Sequence, residues 1–434
     1  TYGRRSDWQN LYTIAKKYYE ALLADPGNAQ FHLTDPRGAS DKSGRTFNNP
    51  YQYFFEQMHM DDAIYADESI YEYPMQQGGG NDGRPYSFGR PSSGGSKAAY
   101  PCKSYGQGRI NPAYFYGVFD PNDMRRDVSI TMTGSNGKGV EKLIPFVPNS
   151  KAEGGGLTLN KWDENRQANP WVAAQRKSGI NGPYMRMSEV YLGYAEVCAA
   201  LGDVVTGKQY LKTVRERSFP QGLADTDGFI ASFGNDLVRA IIEERGFEYA
   251  GEGDRRWTLI RSGYLPEDIK RIKDMTKAMM DGLATKGYYE FENGNIISAY
   301  IWTKLVDAKT IYGHRLTAQC PTDKVNDPVL YPGWRGQKDN WEEMGLNYGS
   351  STPATNLAIK GLFEIVSEEE AASLESQGYT KVNWGIDLVD NRDEYDKYLF
   401  WDYDYVSAPI YLWPFTPNVM AAGGFTNGYG FKQE

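Results

Sequence analysis

The stretch from Arg186 to Arg217 constrains the fold more than any other part of this 434-residue chain. Met187, Val190, Tyr191, Tyr194, Ala195, Cys198 and Leu201 return every three or four positions, the period of one face of an α-helix. Gly202-Asp203 interrupts the pattern, and Tyr210, Leu211 and Val214 resume it to about residue 217. Two helices joined by so short a break must run antiparallel, so residues 186–217 read as a helical hairpin of tetratricopeptide size. Gly193, Ala195 and Ala199 leave room for close helix approach. A single hairpin cannot bury both of its faces and needs neighbours. No continuation of the pattern is evident downstream, so companion repeats are expected to precede Thr1.

Other helical segments surround the hairpin. Residues 7–23 carry Trp8, Leu11, Ile14, Ala15, Tyr18 and Leu22 at helical spacing, with Asp7 placed as an N-cap and Asp25-Pro26-Gly27 as the stop. A second helix is expected from Tyr51 to about Met60, followed by a short apolar run at Ala63–Ala66 that suits a buried strand or helix end. Further helices fit residues 235–250, with Leu237, Ile241, Ile242 and Tyr249 inward, and residues 255–261 and 266–284. Residues 285–434 read as short strands among Trp- and Gly-bearing loops.

Two regions break this order. Residues 74–113 hold Gly78-Gly79-Gly80, Pro85-Tyr86, Gly94-Gly95 and Tyr100-Pro101, and residues 134–183 hold Gly154-Gly155-Gly156, Trp162 and Trp171. Such composition cannot sustain regular elements, and a long irregular stretch in a compact protein is more often functional than idle. The expected fold class is mainly α: a tetratricopeptide-like helical scaffold with long irregular loops and short strands.

Several functions are disfavoured. The formal net charge is −9, and no basic stripe is present to meet phosphates, so nucleic acid is not an expected partner. No apolar run reaches the roughly 18 residues needed to span a bilayer as a helix. Thr1 to Arg5 is polar and does not read as a secretory leader; the chain reads as part of a longer protein. Cys102, Cys198 and Cys320 lie far apart, without metal or redox spacing. Cys198 falls on a helical apolar face and reads as a buried hydrophobe, while a Cys102–Cys320 disulfide stays open. His32, His59 and His314 stand isolated, which weakens a metal centre or a histidine base. The glycine clusters, including Gly251-Glu252-Gly253-Asp254, lack the phosphate-loop pattern. No cofactor and no metal is expected.

Glu243, Glu244, Arg245, Glu248, Glu252, Arg255 and Arg256 crowd into one helical stretch. Paired acids can serve as general acid and base. Adjacent acids on a helix point about 100° apart, however, and the arginine forks beside them are ready partners. A structural ion-pair network is the better reading.

Three segments together resemble the SusD/RagB family. Arg186-Met187-Ser188-Glu189-Val190-Tyr191-Leu192-Gly193-Tyr194-Ala195-Glu196 is close to the family's R-L-A-E-V-Y-L-x-Y-A-E helix. Glu243-Glu244-Arg245 through Glu252-Gly253-Asp254-Arg255 and on to Arg261 resembles its E-E-R-x-x-E-x-x-x-E-G-x-R-x-x-D-L-x-R segment, with Thr258-Leu259 in place of Asp-Leu. Tyr411-Leu412-Trp413-Pro414-Phe415-Thr416-Pro417 through Asn427-Gly428-Tyr429 is similar to the ending Y-L-x-P-I-P…Q-N-P-G-Y, with Phe-Thr for Ile-Pro and without the second proline. Weaker matches are residues 7–66, similar to the family's W-x-x-x-x-x-A-K-x-x-x-x-L helix and its later E-x-I-x-A-like strand, and Asp120–Asp127, which is like a D-x-R segment. The resemblance covers nearly the whole chain.

The resemblance implies that residues 1–434 form the C-terminal larger part of a single SusD-like domain. It implies a cell-surface, outer-membrane protein that binds oligosaccharide or polysaccharide and delivers it to a SusC-like TonB-dependent transporter. An N-terminal lipid anchor would lie outside this chain. No catalysis is implied. A peptide-binding member of the same family is the first alternative, and a glycoside hydrolase the second.

Aromatic residues make up 14% of the chain, 33 of them Tyr. Tyr and Trp offer an apolar face and a polar tip, which suits sugar rings. The candidate ligand face is the aromatic region 71–116, with Tyr71, Tyr73, Tyr86, Phe88, Tyr100 and Tyr105 interleaved with Asn81, Asp82, Arg84, Arg90 and Gln107. Trp334 and Trp341, in Gly- and Asn-bearing loops, complete the candidates.

Overall fold

A computed structural model describes residues 5–27, 31–35, 37, 49–57, 68–76, 87–91, 104–135, 141–148, 155–162, 179–307, 355–399 and 416–424. In chain order the described helices are α1 (Trp8–Ala24), α2 (Pro50–Gln57), α3 (Pro112–Gly117), α4 (Arg125–Ser129), α5 (Met187–Ala200), α6 (Val204–Arg217), α7 (Thr226–Ala231), α8 (Leu237–Glu248), α9 (Asp254–Ser262), α10 (Leu265–Lys286), α11 (Glu368–Ser376), α12 (Gly385–Asp390), α13 (Arg392–Leu399) and α14 (Pro417–Gly423). The strands are β1 (Ser69–Tyr73), β2 (Ile130–Thr131), β3 (Thr133–Ser135), β4 (Glu141–Leu143), β5 (Thr158–Leu159), β6 (Gly182–Arg186), β7 (Tyr288–Glu290), β8 (Ile296–Ser298), β9 (Tyr300–Asp307), β10 (Thr355–Lys360) and β11 (Thr380–Asn383). The protein is mainly helical with short strands, as the patterning predicts.

The hairpin is present as α5 and α6. Gly202 turns the chain at φ 92°, a conformation that glycine adopts without a Cβ clash. The Asp203 side chain accepts the Thr206 N–H and starts α6 at Val204, ahead of its apolar pattern. A Cβ on Gly207 would lie 2.9 Å from the Ala195 carbonyl oxygen and 3.1 Å from the Ala199 nitrogen. Small residues therefore set the spacing of the pair.

Two expectations about the hairpin fail. α5 is not one-faced: Leu192, Gly193, Glu196 and Val197 are buried along with the predicted Met187, Val190, Tyr194, Ala195 and Cys198, while Tyr191 and Leu201 are half-buried. A downstream neighbour also exists. Leu237, Ala240 and Ile241 of α8 join Leu192, Ala195, Leu211 and Val214 in one apolar cluster. The helix itself is legible at 235–250, but the apolar pattern does not show that it packs against the hairpin.

α1 covers the other side of α5, but through a stripe that shares only Ala15 with the predicted one. Tyr12, Ala15, Tyr19 and Leu23 lie against Tyr194, Val197 and Cys198, while Leu11, Ile14 and Tyr18 are exposed. Asp7 occupies the N-cap position but caps no N–H; its carboxylate accepts from Arg5 at 2.9 Å instead. Cys198 is buried. Cys102, Cys320, His59, His314 and Ala63–Ala66 lie outside the described residues.

A second, larger core joins α3, α10 and α12 to the strands of the C-terminal region, through Phe115, Tyr116, Phe119, Met279, Phe291, Ile301 and Trp384. β9 is the centre of an antiparallel sheet ordered β10-β9-β11. The Trp384 indole donates to the Tyr116 hydroxyl at 2.8 Å. The C-terminal region is not only strands and loops: α11 to α14 lie there. Helix α3 begins at the end of the predicted irregular stretch, with Asn111 accepting the Ala113 N–H ahead of Pro112.

Candidate ligand-binding site

α8 ends in the most crowded charge cluster of the described residues. Glu248 accepts from Arg217 at 2.6 Å and Arg125 at 3.0 Å, and also from Arg186. Glu244 accepts from Arg215 at 2.6 Å and Arg125 at 2.8 Å. Glu68, just ahead of β1, accepts from Arg186 at 3.0 Å and from Arg217. Glu252 takes Lys161 at 2.6 Å and Arg186 at 3.0 Å, and Asp123 takes Arg125 at 2.7 Å. Cations (Arg125, Arg186, Arg215, Arg217, Lys161) and carboxylates (Asp123, Glu68, Glu244, Glu248, Glu252) are equal in number, and all are buried or nearly so.

Equal numbers matter because an uncompensated buried charge is very costly. Burial alone would raise the Glu248 carboxyl; the Arg186, Arg217 and Arg125 guanidiniums outweigh it and hold it well below the usual carboxylate range. Burial lowers the Lys161 ammonium to about 8, with Glu252 opposing that shift. Glu244 and Glu248 have no solvent-exposed side-chain surface. The cluster is the structural ion-pair network that the sequence suggests, and no substrate bond can reach those carboxylates.

The cluster fixes the base of an aromatic ribbon. β1 and β6 pair antiparallel as Ser69↔Arg186, Tyr71↔Met185, Glu72↔Pro183 and Tyr73↔Gly182, with register shifts on both sides of Tyr71. Arg186 and Glu68 run inward to the charge cluster. Glu72 is also buried, and its carboxylate accepts from the Asn181 amide at 2.9 Å. The Asn181 oxygen in turn accepts the Met75 N–H at 2.9 Å. Burial raises the Glu72 carboxyl above its ordinary value, with Asn181 and Ser69 opposing.

The outer side of the ribbon is aromatic. Tyr71 is 57% exposed, Tyr73 51% and Tyr184 69%, with Met185 at 43%. The Tyr71 and Tyr184 rings meet edge to face, centroids 5.6 Å apart and planes at 87°. Tyr71 and Tyr73 are among the candidates named from the sequence, and Tyr184 is not. Regular alternation would put Tyr184 on the same face as Arg186, inward. It is the extra residue of the register shift between Met185 and Pro183, and this irregularity turns it outward.

Phe88 and Tyr105 lie on adjoining segments. The Gln107 N–H donates to the Ser87 carbonyl at 2.6 Å, and the Ser104 hydroxyl to the Gly89 carbonyl at 3.1 Å. Phe88 is 48% exposed, and Tyr105 is half-buried. The described candidates thus fall into two aromatic groups, Tyr71–Tyr73 and Phe88–Tyr105. Tyr86, Tyr100, Trp171, Trp334 and Trp341 lie outside the described residues. Trp162 is core, packed with Leu159 and Ile180. Among the described residues no three His, Cys, Asp or Glu side chains are grouped to hold a metal ion, and no helix is long and apolar enough to cross a membrane.

The described residues thus combine a mainly helical scaffold, locked by buried ion pairs, with tyrosines exposed to solvent. The chain itself belongs to the SusD family, whose pattern matches residues 30–414. It is 28% identical over 160 residues to the SusD-like protein P25 of Formosa agariphila, a match covering 37% of this chain and 26% of that protein. Among solved structures it is similar to surface glycan-binding protein A from Bacteroides thetaiotaomicron in complex with laminarihexaose, at 19% identity and TM-score 0.40, covering 60% of this chain and 52% of that one. It is also similar to B. fragilis NanU, at 18% identity and TM-score 0.38, covering 59% and 52%. The chain spans about half the length of the solved chains it matches.

Proposed function

We propose that this protein binds oligosaccharide or polysaccharide at the surface of the outer membrane and delivers it to a SusC-like TonB-dependent transporter. It would be held to the membrane by a lipid anchor outside this chain. The observation that carries the reading is the exposed tyrosine ribbon of a SusD-family chain. Tyr71 and Tyr73 offer apolar ring faces and hydroxyl tips on a base immobilised by Arg186, Glu68 and Glu72. Phe88 and Tyr105 supply a second aromatic group, and Tyr86, Tyr100, Trp334 and Trp341 are further ligand candidates. Binding followed by release requires no covalent chemistry.

Titration calorimetry against oligosaccharides, laminarihexaose among them, and against mixed peptides tests the reading. Saturable binding of an oligosaccharide is the expected result. Binding of peptides alone would replace the ligand class, and turnover in a reducing-sugar assay, abolished by one Asp or Glu substitution, would make the protein a hydrolase.

A further inference from the structure

We infer that Tyr184 and Tyr71 form a corner that receives one pyranose ring of the ligand, Tyr184 being a contact residue in its own right. The inference rests on the glycan-binding reading and deepens it.

Three observations converge on the corner. Both rings remain more than half exposed while touching each other. A contact made only for stability would bury more of that area, since burial is what stabilises an apolar surface. Tyr184 is also the residue left without a partner in the ladder between Tyr71 and Glu72. Such an irregularity gives up regular pairing and re-aims a side chain, commonly beside a functional site. Here it carries an aromatic residue from the protein interior to the solvent. Finally, the strand segments that carry the corner are held from below. Arg186 is fixed by Glu68, Glu248 and Glu252, and Glu72 by Asn181.

The geometry matches the chemistry of a sugar ring. Planes at 87° make two walls of a notch. The C–H face of a pyranose lies on one ring, and its edge meets the other. Each phenol hydroxyl can donate or accept a hydrogen bond with sugar hydroxyls. Tyrosine has few rotatable bonds, and its ordering on binding costs little. Met185, on the same exposed side, adds a soft apolar contact that adapts to shape. Tyr73 extends the platform along β1 for a neighbouring unit.

The test starts from an oligosaccharide that binds the wild-type protein, found on an array of neutral and acidic glycans and measured by calorimetry. Tyr184→Ala and Tyr71→Ala should each weaken that oligosaccharide about tenfold or more, as loss of a central aromatic contact does. Tyr184→Phe, which keeps the ring, should stay within about threefold. The Tyr71→Ala/Tyr184→Ala pair should lose less than the product of the single losses, because the rings act together. Thermal midpoints should hold, since both side chains are exposed. Unchanged affinity in Tyr184→Ala would overturn the corner and leave glycan binding intact. A Tyr184→Phe loss equal to that of the alanine variant would overturn ring stacking. A wild-type protein that binds no glycan on the array would sink the corner and the glycan reading together.

Discussion

Arg245 shows how a single side chain is provided for when a motif changes. It is buried on α8, so its guanidinium needs carboxylate partners. The resemblance places an acid at position 258, where this chain has Thr258. The structure supplies the charge from Asp254, one turn earlier on α9. Arg245 donates to Asp254 at 2.5 Å and to Glu189 at 2.8 Å. The Thr258 hydroxyl donates to Asp254 at 2.8 Å and receives Arg245 Nε at 3.3 Å. Residues four apart share a helix face, so the acid has moved one turn along the same stripe. Asp254→Asn should cost about 1–3 kcal/mol, the range for a buried partner left unsatisfied. Thr258→Asp alone should also destabilise, by adding a third carboxylate around one arginine. The double variant should recover most of the loss in urea unfolding; strictly additive losses would contradict the swap. The Glu243–Arg256 stretch announces ion pairing because its members are adjacent in sequence. Glu68, Lys161, Arg215 and Arg217 give no such signal, because their partners in the cluster arrive only through the fold.

At the level of helices and strands, caps decide what is legible. α6 and α8 begin at Asp203 and Asp236, whose side chains accept N–H groups of the first turn. Their boundaries fall within a few residues of the apolar pattern. Two missed helices carried the same sort of mark. Asn111-Pro112 opens α3, and the Ser367 hydroxyl accepts the Glu370 N–H to open α11, a serine with glutamate three residues on. Both were hidden by short length and polar or glycine-rich surroundings. Helix packing was more visible: Ala195 and Ala199 point to close approach, and Gly207 on α6 is what they face. Gly207→Ala gains up to about 1 kcal/mol in helix propensity. It also pushes a methyl group against the α5 backbone, which cannot yield, and overpacking costs about 1–3 kcal/mol. The expected net is a lower urea midpoint. A raised midpoint would mean that α5 and α6 lie farther apart than the structure has them. The ribbon was half legible: aromatic composition marks Tyr71 and Tyr73, but it foresees neither the strand that carries them nor the register shift that exposes Tyr184.

Across the whole molecule the buried charge cluster acts as the joint between distant segments. It unites the residue before β1, α4, β6, α6 and α8, and Glu248 alone meets guanidiniums from three of them. Glu248→Gln leaves those guanidiniums short of one negative charge and should cost about 3–5 kcal/mol, as breaking a buried pair does. The pH dependence follows from the depressed carboxyl of Glu248. A group whose folded pKa lies below its unfolded value, near 4.3 for glutamate, contributes stability above that value. The contribution fades as pH falls through the folded value. The stability gap between wild type and Glu248→Gln should therefore persist from neutral pH to about pH 5 and narrow only in stronger acid. Urea unfolding at several pH values measures it, and a gap already closed at pH 5 would refute the assignment. Because Arg186 is held by Glu248 and also ends β6, the substitution should reach the proposed ligand face as well. Glycan affinity should fall in Glu248→Gln at temperatures where the chain is still folded, since Tyr184 would lose its rigid footing and binding would have to order it first. Affinity that stays constant while stability drops would separate the ribbon from the charge cluster and make the cluster a device of stability alone.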